Sequence, residues 1–185
     1  MVNPKIMNTY IALLRGINVG GKNKLKMAEL RGQFTALGYA HVQSYVQSGN
    51  LLFDSAESDP AQLENEIRTM LLDKYGYTVS VMVRPPDLFA RIVEENPYLA
   101  RCEDTKQLYV TFLAAEPDPA AIAAIKIPAS TGDAFSVAGR VLYFFCPGSY
   151  GRTKFNNNFF ERKLGVAATT RNWRTVNKLL TLTQR

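Results

Sequence analysis

The chain contains a single histidine, His41. That argues against a histidine-based metal site, because no cysteine or carboxylate cluster stands near it in sequence. A Ser-His-Asp triad would have to use the same residue, and the chain has no nucleophile elbow. Cysteine is nearly as scarce. Cys102 and Cys146 are the only two, they lie far apart, and their spacing matches no metal or redox motif. Such usage fits a reducing cytosol. Long apolar runs are missing: none approaches the ~20 residues of a membrane-spanning helix. Met1–Lys5 does not begin a signal peptide. The expectation is a soluble cytoplasmic protein with no membrane partner. Low-complexity tracts and long linkers are also lacking. The Gly-x4-Gly-Lys-Ser/Thr order of a P-loop is absent, as is the glycine spacing of a dinucleotide fingerprint.

What is present is enough apolar material for a core. The 185 residues are 46% hydrophobic, with ten Phe, nine Tyr and one Trp. This length suits one domain or two small ones. The net charge of +6 hides a pattern. Residues 1–53 carry six Lys/Arg against one acid, residues 54–104 five against eleven, and residues 105–185 eleven against four, giving +5, −6 and +7. Two basic ends flank an acidic middle. Should the ends meet, they form a surface for phosphate, nucleic acid or an acidic partner; otherwise the charges are ordinary solvated ones that pair between the thirds.

Periodicity lays out the elements. Thr9–Leu14 reads as a buried strand, followed by a helix with Met27, Leu30, Phe34 and Leu37 at helical spacing and Gly38 as its stop. Val42–Val46 and Leu51–Phe53 read as strands around the turn Gln47-Ser48-Gly49-Asn50. Asp59-Pro60-Ala61-Gln62 is a helix start with Asp as cap and Pro in the first turn. Tyr77–Val83 reads as a strand. This order, βαββαβ, is the split βαβ or ferredoxin-like unit. Asp87–Glu95 reads as a short bridging helix. Leu108–Leu113, a helix from Asp118-Pro119, the strands Phe135–Val137 and Val141–Phe145, and a helix over Phe155–Leu164 repeat the pattern. A strand near Val166–Thr169 completes it, and an extra helix runs from Asn172 to Leu182. The reading is α+β: two ferredoxin-like alpha–beta plait subdomains, 1–84 and 106–185, joined by a helical connector over 85–105, with an extra C-terminal helix.

Four polar segments stand out. Arg15–Lys24, between strand and helix, holds Gly16, Gly20 and Gly21 with Arg15, Asn18, Lys22, Asn23 and Lys24, and no acid. Glycines permit close backbone approach, and a donor-rich turn feeding a helix suits an anion. The same residues also suit a plain glycine-rich connection with solvated lysines. Gln47, Ser48 and Asn50 form either a hairpin turn or a second wall of that site. In Tyr150–Asn158, Thr153 is a candidate helix cap. Arg152 and Lys154 then oppose the helix macrodipole, which a bound anion would explain. Thr170, Arg171 and Asn172 lie at the start of the last helix, where Trp173, Val176, Leu179 and Leu180 form an apolar face. The lone acids of the basic ends, Glu29 and Glu161, read as intrahelical ion-pair partners or as candidate bases.

The motifs RGINVGGKNKLKM (Arg15–Met27), QSGNLLF (Gln47–Phe53) and GRTKFNNNFFERKLGVAATTRNWRTVNKL (Gly151–Leu179) together resemble the bacterial domain-of-unknown-function 1697 family. The resemblance implies two plait subdomains. It brings no activity, cofactor or catalytic residue with it. Its three segments are the donor-rich ones, so they are expected to converge on one anion-binding surface: Arg15, Asn18, Gly20, Gly21, Lys22, Lys24, Gln47, Ser48, Asn50, Arg152, Lys154, Thr170, Arg171 and Asn172. The leading expectation is a module for a phosphate-bearing ligand, nucleic acid or nucleotide. Tyr143, Phe144 and Phe145 would stack on bases, although no RNP1 pattern is present. By fold analogy alone, an acylphosphatase-like enzyme is the rival, with Arg15 and Asn18 or Asn50 orienting an anion and a water. An interaction protein with a basic face is a third reading.

Overall fold

The computed structural model describes residues 6–184. Met1–Lys5, read above as not beginning a signal peptide, lie outside them. The chain divides into two compact units, Met1–Ala90 with Leu179–Arg185, and Arg91–Lys178.

The first unit runs β1 (Asn8–Leu14), α1 (Met27–Ala36), β2 (Ala40–Tyr45), β3 (Asn50–Ser55), α2 (Pro60–Tyr75) and β4 (Val81–Arg84). The sheet order is β2-β3-β1-β4, antiparallel throughout, as in a ferredoxin-like plait. Residues Ile11–Leu14 of β1 are all fully buried, which explains the unbroken apolar run. Helix α1 buries Met27, Leu30 and Phe34. It ends in a Schellman motif: Gly38, at φ +90°, donates to Thr35 O, and Tyr39 N donates to Phe34 O. Beneath it Phe34 meets Phe53 edge-on at 5.4 Å, and Tyr39 stacks on Phe53 at 4.5 Å. Asp59 caps α2, its Oδ1 accepting from Ala61 N at 2.9 Å. Glu64 ties that helix to β4, accepting from Val83 N at 2.9 Å and Arg84 Nη1 at 2.8 Å. The strand expected from Tyr77 begins only at Val81. Tyr77 instead turns back to the loop before α1, its hydroxyl donating to Lys24 O at 2.8 Å.

Helix α3 (Pro86–Glu94) follows. The second unit holds β5 (Leu108–Leu113), α4 (Pro119–Ala123), β6 (Ala134–Ala138), β7 (Val141–Phe145), α5 (Asn157–Leu164) and β8 (Ala168–Asn172), and α6 (Trp173–Thr183) comes last. Its sheet order, β6-β7-β5-β8, repeats that of the first. The fold is therefore α+β, two plaits with a C-terminal helix. Leu113, Leu142, Phe144, Phe160 and Leu164 form the core under α5. That helix starts two residues later than expected. Asn156, not Thr153, is its cap, Oδ1 accepting from Phe159 N at 3.1 Å. Thr153 is held elsewhere, so Arg152 and Lys154 lie before the cap and do not oppose the helix dipole. No helix among the described residues is long and apolar enough to cross a membrane.

Candidate functional site

Antiparallel pairing of β1 with β3 sets Leu13 opposite Asn50. The loop after β1 and the turn before β3 therefore share one end of the first sheet. Leu14 N donates to Gly49 O at 2.8 Å, and Asn18 Nδ2 donates to Gln47 O at 2.8 Å. The loop folds on itself. Gly20 and Gly21, at φ +58° and +76°, form its exposed tip, closed by Lys22 N donating to Val19 O at 3.1 Å. Two successive left-handed residues are what a two-residue hairpin turn needs. Ile17 and Leu25 anchor the base in the core.

This folding takes up the amides that the sequence offered to a ligand. Asn18, at φ +55°, donates through Nδ2 to Leu25 O and accepts from Leu25 N at Oδ1, both at 2.8 Å. Asn23 Nδ2 holds Gly16 O. Asn50 is not a turn residue but the first of β3. It is fully buried, with Nδ2 donating to Tyr45 O at 3.1 Å and Ser48 Oγ at 3.2 Å. Asn18 and Asn50 thus spend their side-chain amides on building the loop. Arg15 is half-buried and already engaged. Lys22, Lys24 and the Gln47 side chain remain exposed.

The second unit holds the C-terminal segments. Arg152 and Lys154 line a groove of about 480 Å³ with Ser149, Thr153, Asp133 and Cys146. Thr153 Oγ1 donates to Asp133 Oδ2 at 2.8 Å and accepts from Phe155 N at 3.2 Å. Burial, and then the nearby Asp133 carboxylate, push the Cys146 thiol up to about 11, so it stays protonated at neutral pH. Three neighbours on β8 serve the fold. Thr170 Oγ1 bonds Thr111 Oγ1 at 2.8 Å and donates to Asn157 Oδ1 at 3.1 Å. Arg171 is buried, Nη1 donating to Thr169 Oγ1 at 2.7 Å and Thr170 O at 2.9 Å. Asn172 caps α6, its Oδ1 accepting from Thr175 N at 2.8 Å. Among the described residues, Lys22, Lys24, Arg152, Lys154 and Arg174 form no ion pair with a carboxylate.

A second groove in this unit, of about 680 Å³, was only half foreseen: one wall comes from the segment around Asn172, the other from residues the sequence reading did not single out. Asp104, Lys106, Tyr109, Asn172, Trp173 and Arg174 line it. Asp104 Oδ1 accepts from Lys106 N at 2.9 Å, and its other oxygen lies 3.5 Å from Lys106 Nζ. That backbone bond, helped by the lysine charge, holds the Asp104 carboxyl below its usual range. Tyr109 stacks on Tyr150 at 4.4 Å. The sequence reading singled out Asn172 on one wall, but for Asp104, Lys106 and Tyr109 on the other it had only the change from acidic to basic character near residue 105. The aromatics proposed for base stacking sit elsewhere and are unavailable. Tyr143, Phe144 and Phe145 are 5%, 1% and 7% exposed. A strand of alternating side chains usually leaves one face free, but both faces of β7 are covered.

Other chemistry loses its geometry. His41 Nδ1 meets Asp54 Oδ2 at 2.7 Å, and Thr9 Oγ1 donates to Asp54 Oδ1 at 2.8 Å. Here the carboxylate stands between hydroxyl and imidazole, whereas a triad places the imidazole between the other two. Glu29 lies 3.9 Å from Lys26, and Glu161 Oε1 accepts from Ala168 N at 2.8 Å. An acylphosphatase-like site would need a free asparagine beside Arg15, and Asn18 and Asn50 are both committed to backbone.

No curated protein matches this chain. A solved structure, described as that of the conserved bacterial protein SP0830 from Streptococcus pneumoniae, matches with a TM-score of 0.77 and 28% identity, over 97% of this chain and 100% of that one. The model of the family described as "Protein of unknown function (DUF1697)" matches residues 7–143. With most of its length inside that model, the chain belongs to the DUF1697 family.

Proposed function

We propose that the protein is a binding module for a phosphate-bearing ligand, with nucleic acid or nucleotide as the class. One observation carries the reading. The groove of about 480 Å³ in the second unit presents Arg152 and Lys154, neither ion-paired among the described residues, beside the hydroxyl of Ser149, while its one carboxylate, Asp133, accepts from the Thr153 hydroxyl. Two cations beside a hydroxyl suit phosphate oxygens, contacts which position a ligand without reading its sequence. Lys22 and Lys24 on the glycine loop supply a second basic surface in the first unit. The enzymatic alternative is weaker, because the asparagines it required are committed and Cys146 is a thiol. A cytoplasmic location suits the reading: Cys102 and Cys146 are both free.

Fluorescence anisotropy with labelled oligonucleotides tests this. Binding should weaken by at least about tenfold between low and moderate salt. In the double variant Arg152→Ala/Lys154→Ala the log–log salt slope should flatten by roughly one per cation removed. Absence of binding at low salt to DNA, RNA and nucleotides would sink the proposal. Salt-sensitive self-association in place of ligand binding would point to the basic face as a protein contact.

A further inference from the structure

Each sheet has two edge strands, and three of the four carry features that hinder the addition of a further strand. The register of β2 shifts between Ala40 and Gln43, and His41 there sits at φ +49°. Strand β4 is four residues long and runs into Pro85. Strand β8 carries the buried Arg171 and passes directly into α6. Strand β6, Ala134–Ala138, has none of these. It holds no charge and no proline, its pairing with β7 is regular, and among the described residues β7 is the one strand it pairs with.

Hydrogen-bond parity identifies its free backbone groups. Leu113 N donates to Arg140 O at 2.9 Å, and Cys146 N donates to Gln107 O at 2.8 Å. Even-numbered residues along β7 therefore bond β5, and the odd-numbered ones turn to β6. Their partners there are Ala134, Ser136 and Ala138. Phe135 and Val137 are left with N–H and C=O groups directed away from the sheet. Their side chains stay with the core under α5, where the Phe135 ring lies 5.7 Å from that of Phe160.

The strand that fits this edge is a second copy of itself. Ala-Phe-Ser-Val-Ala runs small, large, Ser, large, small from either end. An antiparallel pairing centred on Ser136 sets Phe135 against Val137 of the other copy, twice over, and satisfies every outward N–H and C=O of both. Moving the centre by one residue fails either way. Centring on Phe135 needs the Asp133 N–H, which donates to Thr131 Oγ1 at 3.1 Å. Centring on Val137 needs Gly139, which is already in the hairpin turn at φ +54°. Charge agrees with the antiparallel sense. It brings Asp133, before one strand, towards Arg140, in the turn after the other, whereas a parallel pairing would set like charges together.

We infer that β6 pairs antiparallel with β6 of a second copy about a two-fold axis at Ser136, joining two four-stranded sheets into one of eight. This does not rest on the phosphate-binding reading. A five-residue edge buries less than the ~1,200 Å² at which standard interfaces begin, so the dimer is a weak one.

Sedimentation velocity of the full chain, from roughly 10 to roughly 500 μM, suits an interface of this size. Monomer should give way to dimer as concentration rises, with little change at high salt, because the contacts are backbone hydrogen bonds. Val137→Pro removes an outward N–H and spares the ladder to β7, so it should leave monomer at every concentration. Ser136→Lys and Ser136→Glu each set like charges face to face across the axis. Each should weaken the dimer by about threefold or more, and their equimolar mixture should dimerise again. Should Val137→Pro fail to fold, the two Ser136 variants still decide the matter. Monomer throughout, a dimer unmoved by the substitutions, or charge variants that do not recover on mixing would each overturn the inference and leave the phosphate reading standing. A dimer dispersed by high salt would also overturn it, and would assign the contact to the basic face.

Discussion

Gly49 shows how much one missing side chain can matter. It sits at φ +77°, and a Cβ there would lie 2.9 Å from Leu14 Cβ and 3.2 Å from Ile17 Cβ. The polar turn can therefore press against the glycine loop only because this residue has no side chain. Gly49→Ala should destabilise the protein by roughly 2–4 kcal/mol, from left-handed strain plus overpacking. Gly20→Ala is the control. Its φ of +58° carries the strain, but nothing lies within 4 Å of the added carbon. It should cost only about 1 kcal/mol. Urea denaturation of the two variants measures the difference, and equal losses would contradict the packing argument. Val46 is the odd residue in the same turn. It is β-branched, exposed, and held at φ +51°. Such a conformation persists only where the surroundings enforce it.

At the scale of elements, Glu64 is the clasp between α2 and β4. Its carboxylate accepts from Val83 N and from Arg84 Nη1, and the Arg84 and Glu64 side chains are 6% and 16% exposed. Glu64→Ala would leave a buried guanidinium and a backbone N–H short of an acceptor. The expected loss is about 3 kcal/mol, read as a shift in the urea midpoint. Glu64→Gln should recover part of it, since an amide oxygen still accepts. Most elements were legible in the sequence, for reasons visible in particular residues. Asp59-Pro60 and Gly38 mark helix ends by chemistry that acts locally, and they fell where expected. β7 was bounded correctly because its apolar run ends at Pro147. Thr153 misled because Thr and Asn are both good caps, and only the distant Asp133 decides which one is free. The site was less legible still. Asn18 and Asn50 look like donors in sequence, and only pairing across strands shows their bonds already made. The Tyr109–Trp173 groove joins residues from 104 to 174, a juxtaposition with no local signal.

Across the whole molecule, the titratable groups most changed by folding are buried acids of high pKa. Burial raises the phenols of Tyr10, Tyr39, Tyr98, Tyr109 and Tyr143, and takes the Cys146 thiol from 9.0 to about 11. Each is neutral when protonated, and the folded form holds its proton to higher pH than the unfolded chain does. The unfolded state therefore binds fewer protons in this range, so stability falls as pH rises. For Cys146 the contribution is complete below pH 9.0 and lost by about 11, and the tyrosines extend the decline beyond their ordinary value of 10.0. Urea midpoints should hold steady near neutrality and then drop through this alkaline window; a flat profile would argue against the burial. The division of the chain has a consequence of a different kind. The second unit is one continuous stretch, but the first is completed by residues 179–185. On the ribosome those residues are made only after the whole of the second unit. A nascent chain thus carries all four strands of the first plait, without the C-terminal segment grouped with them, throughout synthesis of the second unit, and chaperones would meet that intermediate first.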